Sequence, residues 1–356
     1  MPTALPQTSS LDKSLRFLVR RPDFAELRES LIHLWSRNLP DASPQRLEWL
    51  YRDGGAQGWI LRDVHESLIG AAGLLPRQFS LGGDIVDAGA AIDLNVDRGN
   101  RIVGPALSLA RAVVSTAEAE GRAFLYGMPI SSAAAVLQRV GYAAVGEMTS
   151  WTLLLRSEFK LRQKLRSGML AKLAAPLVDA TMRLTSPARC HRLPPSVAVE
   201  SCRTFDDRFD RLWNRAVRRF DIIGVRSTSF LNWRFARCHD VEYQAFALIK
   251  QRDRELLGYL VWYRDENSFV ISDLLTTDEN STTWLLAEFT RHAHAAGVDA
   301  IRFSCLASNS FYRQLADAGF SRRAGARPVL VRPSAHLPMS SDHSWYMTTA
   351  DRDTDL

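Results

Sequence analysis

The chain has 356 residues, 46% of them hydrophobic and 24% charged, and a net charge of +6. That length allows two domains with full cores, and the mild charge, without a dense Lys/Arg run carrying interleaved aromatics, excludes a nucleic-acid-binding surface. Four scattered cysteines, Cys190, Cys202, Cys238 and Cys305, form no C-x-x-C pair, so neither a disulfide framework nor a metal site is expected. The first ten residues hold no basic stretch leading into an apolar one, and no run of eighteen apolar residues occurs. No secretory signal or membrane-spanning helix is therefore expected, and the chain reads as cytoplasmic. Residues before Leu15 are rich in Pro, Ser and Thr and read as frayed. Residues 15–19 look like a first strand. Pro22-Asp23 opens a helix through Trp35, with Phe24, Leu27, Leu31 and Leu34 at helical spacing. A second helix is expected at 43–51, antiparallel strands at 58–62 and 67–75, and a further edge strand or hairpin at 78–83. Residues 90–96 form an apolar run that reads as a buried strand. A polar turn, 97–104, follows, and Pro105 then opens a helix that runs to Gly121, a good C-cap. A strand at 123–128, a short helix at 131–140 ending in Gly141-Tyr142, and a strand at 149–155 complete this half.

Strand, loop and helix in that order aim backbone N–H groups at an anion, and Gly104 lets a phosphate approach the backbone. The sextet Arg101, Ile102, Val103, Gly104, Pro105, Ala106 fits R/Q-x-x-G-x-G/A. It resembles the coenzyme A pyrophosphate loop of the GCN5-related N-acetyltransferases (GNAT), and the element order through residue 142 is similar to theirs. The resemblance implies acetyl-CoA, or another acyl-CoA, as co-substrate, with its pantetheine arm laid along Leu94, Asn95 and Val96 and its pyrophosphate on the sextet. It implies transfer of an acyl group to the amine of a small molecule. Such transfer needs a neutral amine and donors for the thioester oxygen. Asp93 is the candidate base, unless it holds the fold, as Asp273 at the matching position further on suggests. Tyr126 is the candidate proton donor or acceptor-pocket residue, unless it is a core aromatic. Ala134 stands where many such enzymes hold a tyrosine acid.

The second half repeats the first. Leu34-Trp35 recurs as Leu212-Trp213, L-E-W-L-Y-R from Leu47 as L-N-W-R-F-A from Leu231, Ile92-Asp93-Leu94 as Ser272-Asp273-Leu274, and Val140-Gly141-Tyr142 as Ala318-Gly319-Phe320. The expected fold is α/β (α+β): two tandem GNAT-like domains, each a mixed, mostly antiparallel sheet flanked by helices. Residues 1–156 form the acyl-CoA-binding copy, 157–196 a basic helical linker and Pro-rich connector, and 197–356 a copy degenerate for CoA. In that copy the loop 276–283 lacks glycine and carries Asp278 and Glu279, which would repel a pyrophosphate. Tyr312, at the family's acid position, reads as structural. The linker alternates Lys160, Arg162, Lys164, Arg166, Lys172 and Arg183 with leucines. It reads as a helix packed on one or both halves with its charges in water, because Lys172 interrupts the apolar stripe; a peripheral membrane contact is the less favoured reading.

Tandem GNAT-like chains also include the FemABX peptidyltransferases, which use aminoacyl-tRNA; the Gly104 loop and the lack of a coiled-coil arm argue against that class. Trp345-Tyr346-Met347-Thr348, followed by Asp351-Arg352-Asp353, resembles the closing pattern of GNAT-like proteins associated with exopolysaccharide and exosortase systems, which implies an amino-sugar or similar acceptor. Two readings stay open: an acyl-CoA-dependent N-acyltransferase, and an inactive GNAT-shaped binding or assembly protein.

Overall fold

The computed structural model describes residues 17–39, 43–101, 103–157, 168–184, 186–335 and 343–353. In the first half, β1 (Phe17–Arg20) pairs with β2 (Gln57–Asp63). Between them, α1 (Phe24–Asn38) starts at Asp23, whose carboxylate accepts the Glu26 N–H, and buries Leu27, Leu31, Leu34 and Trp35 as one stripe. The next helix, α2 (Pro44–Leu47), is capped by Ser43 and runs directly into a π-helical turn, Glu48–Asp53. β3 (Leu68–Leu81) and β4 (Asp84–Val96) form one long hairpin, turned by Gly82 and Gly83 at φ of 58° and 107°. The separate edge strand expected at 78–83 is thus the end of β3. Pro76 does not break it, because β2 reaches only to Leu74 and leaves the proline's other edge without a partner. The half continues with α3 (Val103–Ala119), β5 (Phe124–Gly127), α4 (Ser131–Arg139) and β6 (Ala143–Leu154). Helix α3 opens two residues before Pro105, which therefore sits third in the helix, where its missing N–H removes no intrahelical bond.

The connector contains α5 (Gly168–Leu184). Beyond it come β7 (Val197–Cys202), α6 (Asp207–Ala216), β8 (Ile222–Gly224) and α7 (Thr228–Leu231), followed by a second π-helical turn, Asn232–Ala236. β9 (Gln244–Lys250), β10 (Leu256–Asp265) and β11 (Ser268–Thr276) form an antiparallel meander, then α8 (Glu279–Ala295), β12 (Ala300–Leu306), α9 (Asn309–Asp317) and β13 (Ser321–Arg322) follow. The chain closes with β14 (Arg327–Pro333) and β15 (Trp345–Thr348). The two π-helical turns face each other. Trp49 and Trp233 stack with ring centroids 5.0 Å apart, and each indole N–H donates to the other's carbonyl, at 2.8 and 3.1 Å. A reciprocal contact between matching residues is what an approximate two-fold relation between the halves produces.

Each half lends the other a strand. β14 lies between β5 and β6 in the first half's sheet, antiparallel to both, and buries Val329, Leu330 and Val331 there. In return, β6 runs on past Met148, and its residues Thr149 to Leu154 lie between β12 and β13 of the second half. Each fully buried Val or Leu contributes about 1.5–3 kcal/mol, so neither sheet is complete without the other half. We propose residues 1–156 and 197–356 as the two units, each finished by a strand of the other.

At the seam, β15 pairs in parallel with β8, which pairs with the end of β3. Arg226 lies here between Asp273, 3.0 Å from its Nε, and Asp351, at 2.9 and 2.6 Å, with Arg77 3.1 Å from Asp351. All four side chains are at most 4% exposed. Tyr259 and Thr348 donate their hydroxyls to Asp273, at 2.8 and 2.7 Å. A Cβ on Gly224 would lie 2.4 Å from Asp351 and 2.6 Å from Arg226, so only glycine fits beside this cluster. Two positive and two negative groups cancel in charge, which is what permits their burial. Burial opposes ionisation of Asp351, but Arg226 and Arg77 hold its pKa below the ordinary 3.8. Its stabilising contribution is therefore complete above pH 3.8 and is lost as pH falls through the lower folded value. Asp351→Asn should cost about 3–5 kcal/mol of unfolding free energy at neutral pH, read by urea titration, and should flatten the acid loss below pH 3.8. A cost under about 1 kcal/mol, the scale of a surface pair, would contradict this role.

Candidate functional site

β4 and β5 run parallel through Ala88 to Ala90 and Phe124 to Tyr126. β5 then ends at Gly127, whereas β4 continues to Val96, so among the described residues the β4 edge from Ala91 to Val96 has no strand beside it. A β-bulge marks the split: β3 residues Ala71 and Gly73 oppose Asn95 and Ile92. Asp93 occupies the bulge at a φ of 51°, a conformation Asp tolerates better than most residues. The extra residue puts Ile92 in the core on one sheet face and Leu94 against the core on the other.

The bulge turns the Asp93 carboxylate inward, where it is 3% exposed. Tyr51 donates its hydroxyl to it at 2.8 Å, and Arg46 lies 3.0 Å away. The other end of Arg46 meets Asp353 at 2.7 Å, and its guanidinium lies over the Trp35 ring at 5.0 Å. Burial is the largest influence on Asp93 and raises its pKa; Arg46 and Tyr51 offset this only in part. Asp353 is a quarter exposed.

A cleft of about 380 Å³ opens where β4 and β5 part. Its walls include Ala91, Asp93 and Leu94 from β4, Tyr126, Ile130 from the start of α4, Arg327 from β14, and Asp351 to Asp353 from the end of the chain. The cleft thus draws on both halves. Tyr126 donates its hydroxyl to the Asp351 carbonyl at 2.8 Å, and burial pushes its pKa up. Tyr126 is 1% exposed, so it does not fit the expected proton donor: it anchors the closing segment.

At the far end of the free edge, Arg101 donates to the Val96 carbonyl at 3.0 Å. The first-turn N–H groups of Val103 and Gly104 have no intrahelical acceptor, and Pro105 has no N–H. Gly104 is exposed, and the nearest atom to a Cβ placed on it is on Phe17 at 3.6 Å, so among the described residues this helix start is open. Of the expected cofactor residues, Leu94 lines the cleft, Asn95 and Val96 are buried in the strand, Pro105 is buried, and Ala106 packs against the core. Ile102 lies outside the described residues. The matching helix start in the second half is closed. Asp278 caps α8 with its own carboxylate, accepting from the Ser281 N–H at 2.8 Å and from the Ser281 and Thr277 hydroxyls at 2.9 and 2.8 Å. Burial would raise the Asp278 pKa, but these donors bring it below the ordinary value. The chain itself supplies the anion at this helix start.

The sequence reading missed Arg46, Tyr51 and Asp353. The closing D-x-D pattern was the available signal for Asp353, and nothing local marks the other two. Tyr312 accepts the Ala307 N–H at 3.1 Å and stacks on Trp151, so it holds the end of β12. The N-cap of α4 is Ile130, which makes no side-chain cap bond. Among the described residues no group of three or more His, Cys, Asp and Glu is placed to hold a metal, and no helix is long and apolar enough to cross a membrane.

The raised Asp93 pKa has a thermodynamic consequence. Its contribution to stability is complete below the ordinary carboxyl value of 3.8 and is lost as pH rises through the higher folded value. Asp93→Asn should remove that loss, so urea midpoints of variant and parent should converge or cross as pH rises above 3.8. Parallel curves would show that Asp93 ionises as it does in the unfolded chain.

No protein-family model matches the sequence, and no curated protein matches it. Solved structures do resemble the fold. A GCN5-related N-acetyltransferase from Anabaena variabilis ATCC 29413 superposes with a TM-score of 0.66 at 11% identity, over 89% of this chain and 73% of that one. A probable N-acyltransferase from Enterococcus faecalis V583 gives 0.62 at 12% identity, over 89% and 72%. A GCN5-related N-acetyltransferase from Kribbella flavida gives 0.62 at 15%, over 89% and 71%. Each likeness spans both halves, and at these identities it is one of architecture: the chain has the fold of the GCN5-related N-acetyltransferases.

Proposed function

We propose that the chain is an acyl-CoA-dependent N-acyltransferase, with acetyl-CoA as the co-substrate and the amine of a small molecule, such as an amino sugar in polysaccharide synthesis, as acceptor. The observation that carries this reading is the split between β4 and β5, which leaves a free strand edge leading to an open helix start. The Val103 and Gly104 N–H groups would hold the pyrophosphate, and the free backbone of Leu94 to Val96 would align the pantetheine arm. Acyl-CoA supplies the activated acyl group; the chain supplies alignment and a place for a proton.

An ammonium acceptor must lose its proton before it can attack. Asp93 was the expected base, but its carboxylate is enclosed by Tyr51 and Arg46. Asp353 faces the cleft, so it is the better-placed group to take the amine proton. Arg46, shared between the two carboxylates, fixes Asp353 from behind, and Asp93 fixes Arg46. The competing reading, an inactive binding protein, rests on Ala134 and on the engaged Tyr126 hydroxyl, which leave no free phenol at the cleft among the described residues.

Calorimetry on the full chain should show one acetyl-CoA per molecule, and Gly104→Glu should abolish it by placing a carboxylate at the phosphate position. Equal affinity in the variant would put the site elsewhere. In a screen of primary amines and amino sugars followed by thiol release, Asp353→Asn should lower turnover roughly a hundredfold while acetyl-CoA affinity stays within about twofold. Binding without turnover of any amine would favour the inactive reading.

A further inference from the structure

The basic connector is not absorbed by the transferase reading. Residues 158–184 hold six Lys and Arg against two Asp and Glu, a net +4 of the chain's +6. A helix packed as a linker would turn its leucines toward the sheets. In α5, Leu177 and Leu184 do the reverse. Leu177 is 75% exposed and Leu184 67%, the two highest values among the large hydrophobic residues described, with Val178 at 36% beside them. Leu177 and Leu184 are seven residues apart and share one face. In sequence, Leu170 and Leu173 precede them at the same helical spacing. Asp179, one of the two acids, is engaged by the Ser157 N–H at 2.6 Å. At the C-terminal end of the helix, Arg183, Arg189, Arg291 and His294 line a depression of about 340 Å³.

We propose that the outward face of α5 docks on an anionic lipid surface. Leu177, Val178 and Leu184 enter the boundary between headgroups and acyl chains, and the exposed Arg183 and Arg189 meet lipid phosphates; Arg291 is held by Glu288. The face combines what such docking requires, an exposed apolar stripe flanked by cationic groups. Charge selects this occupant over a second copy of the chain, since the exposed Arg183 and Arg189 of two such faces would repel each other. The enzyme would then work at a membrane surface without crossing it.

The test is co-sedimentation of the full chain with vesicles of phosphatidylcholine alone and of phosphatidylcholine mixed with phosphatidylglycerol. The expected result is binding to the anionic vesicles at least about tenfold tighter than to neutral ones, weakened by salt. Leu177→Glu combined with Leu184→Glu should lower that binding about tenfold or more. These positions are already in water, so circular dichroism should show an unchanged fold. Ile85→Glu, at an exposed apolar residue on the β3–β4 hairpin, should leave vesicle binding as it was. Equal binding to both vesicle types, no binding, or binding unaffected by the double substitution would overturn the proposal. So would a dimer in solution that the double substitution dissociates, which would make this face a subunit contact.

Discussion

Arg226 is the group on which the arrangement of the molecule depends. It is 1% exposed, it comes from the short segment after β8, and it joins Asp273 in the second sheet to Asp351 in the closing segment. An unpaired guanidinium at that depth would cost several kcal/mol, so the second half, the end of the chain and Arg77 of the first half must assemble together. Strand exchange imposes the same condition on the sheets. β6 and β14 each complete a sheet that begins in the other half, and the halves therefore fold as one cooperative body although each has its own core.

The same device appears twice, with different outcomes. In each half a strand aspartate, Asp93 or Asp273, accepts a tyrosine hydroxyl and pairs with an arginine that also holds an aspartate of the closing segment. In the second half Thr348 adds a further bond and the cluster is sealed. In the first half the cluster borders the cleft, and Asp353 keeps a quarter of its side chain in contact with solvent. The helix starts diverge in the same sense: α8 caps itself with Asp278, while the start of α3 at Gly104 stays open. One cluster holds the body together and the other borders the cleft.

Much of this was legible in the sequence because it is local. The apolar stripe of α1, the glycines ending α3 and α4, the Gly104 loop and the order of elements all follow from neighbouring residues. Tryptophans 49 and 233 were visible as a repeat, though their reciprocal stacking was not. What stayed hidden depends on distant residues meeting. No local pattern says that Arg46 reaches both Asp93 and Asp353, that Tyr126 is spent on the Asp351 carbonyl, or that β14 belongs to the first sheet. A strand reads the same whichever sheet it joins. The exposure of Leu177 and Leu184 stayed hidden for a related reason: periodicity locates an apolar face but does not say what that face meets.

The central claim is that one acyl-CoA binds per chain, in the first half, at a cleft the second half closes. A crystal structure of the full chain with acetyl-CoA tests it most directly. The arrangement predicts pyrophosphate density at the Val103 and Gly104 N–H groups, the pantetheine arm along the β4 edge at Leu94 to Val96, and the acyl group between β4 and β5 facing Asp353. Pyrophosphate density at the start of α8, or a cleft left empty at saturating acetyl-CoA, would contradict it.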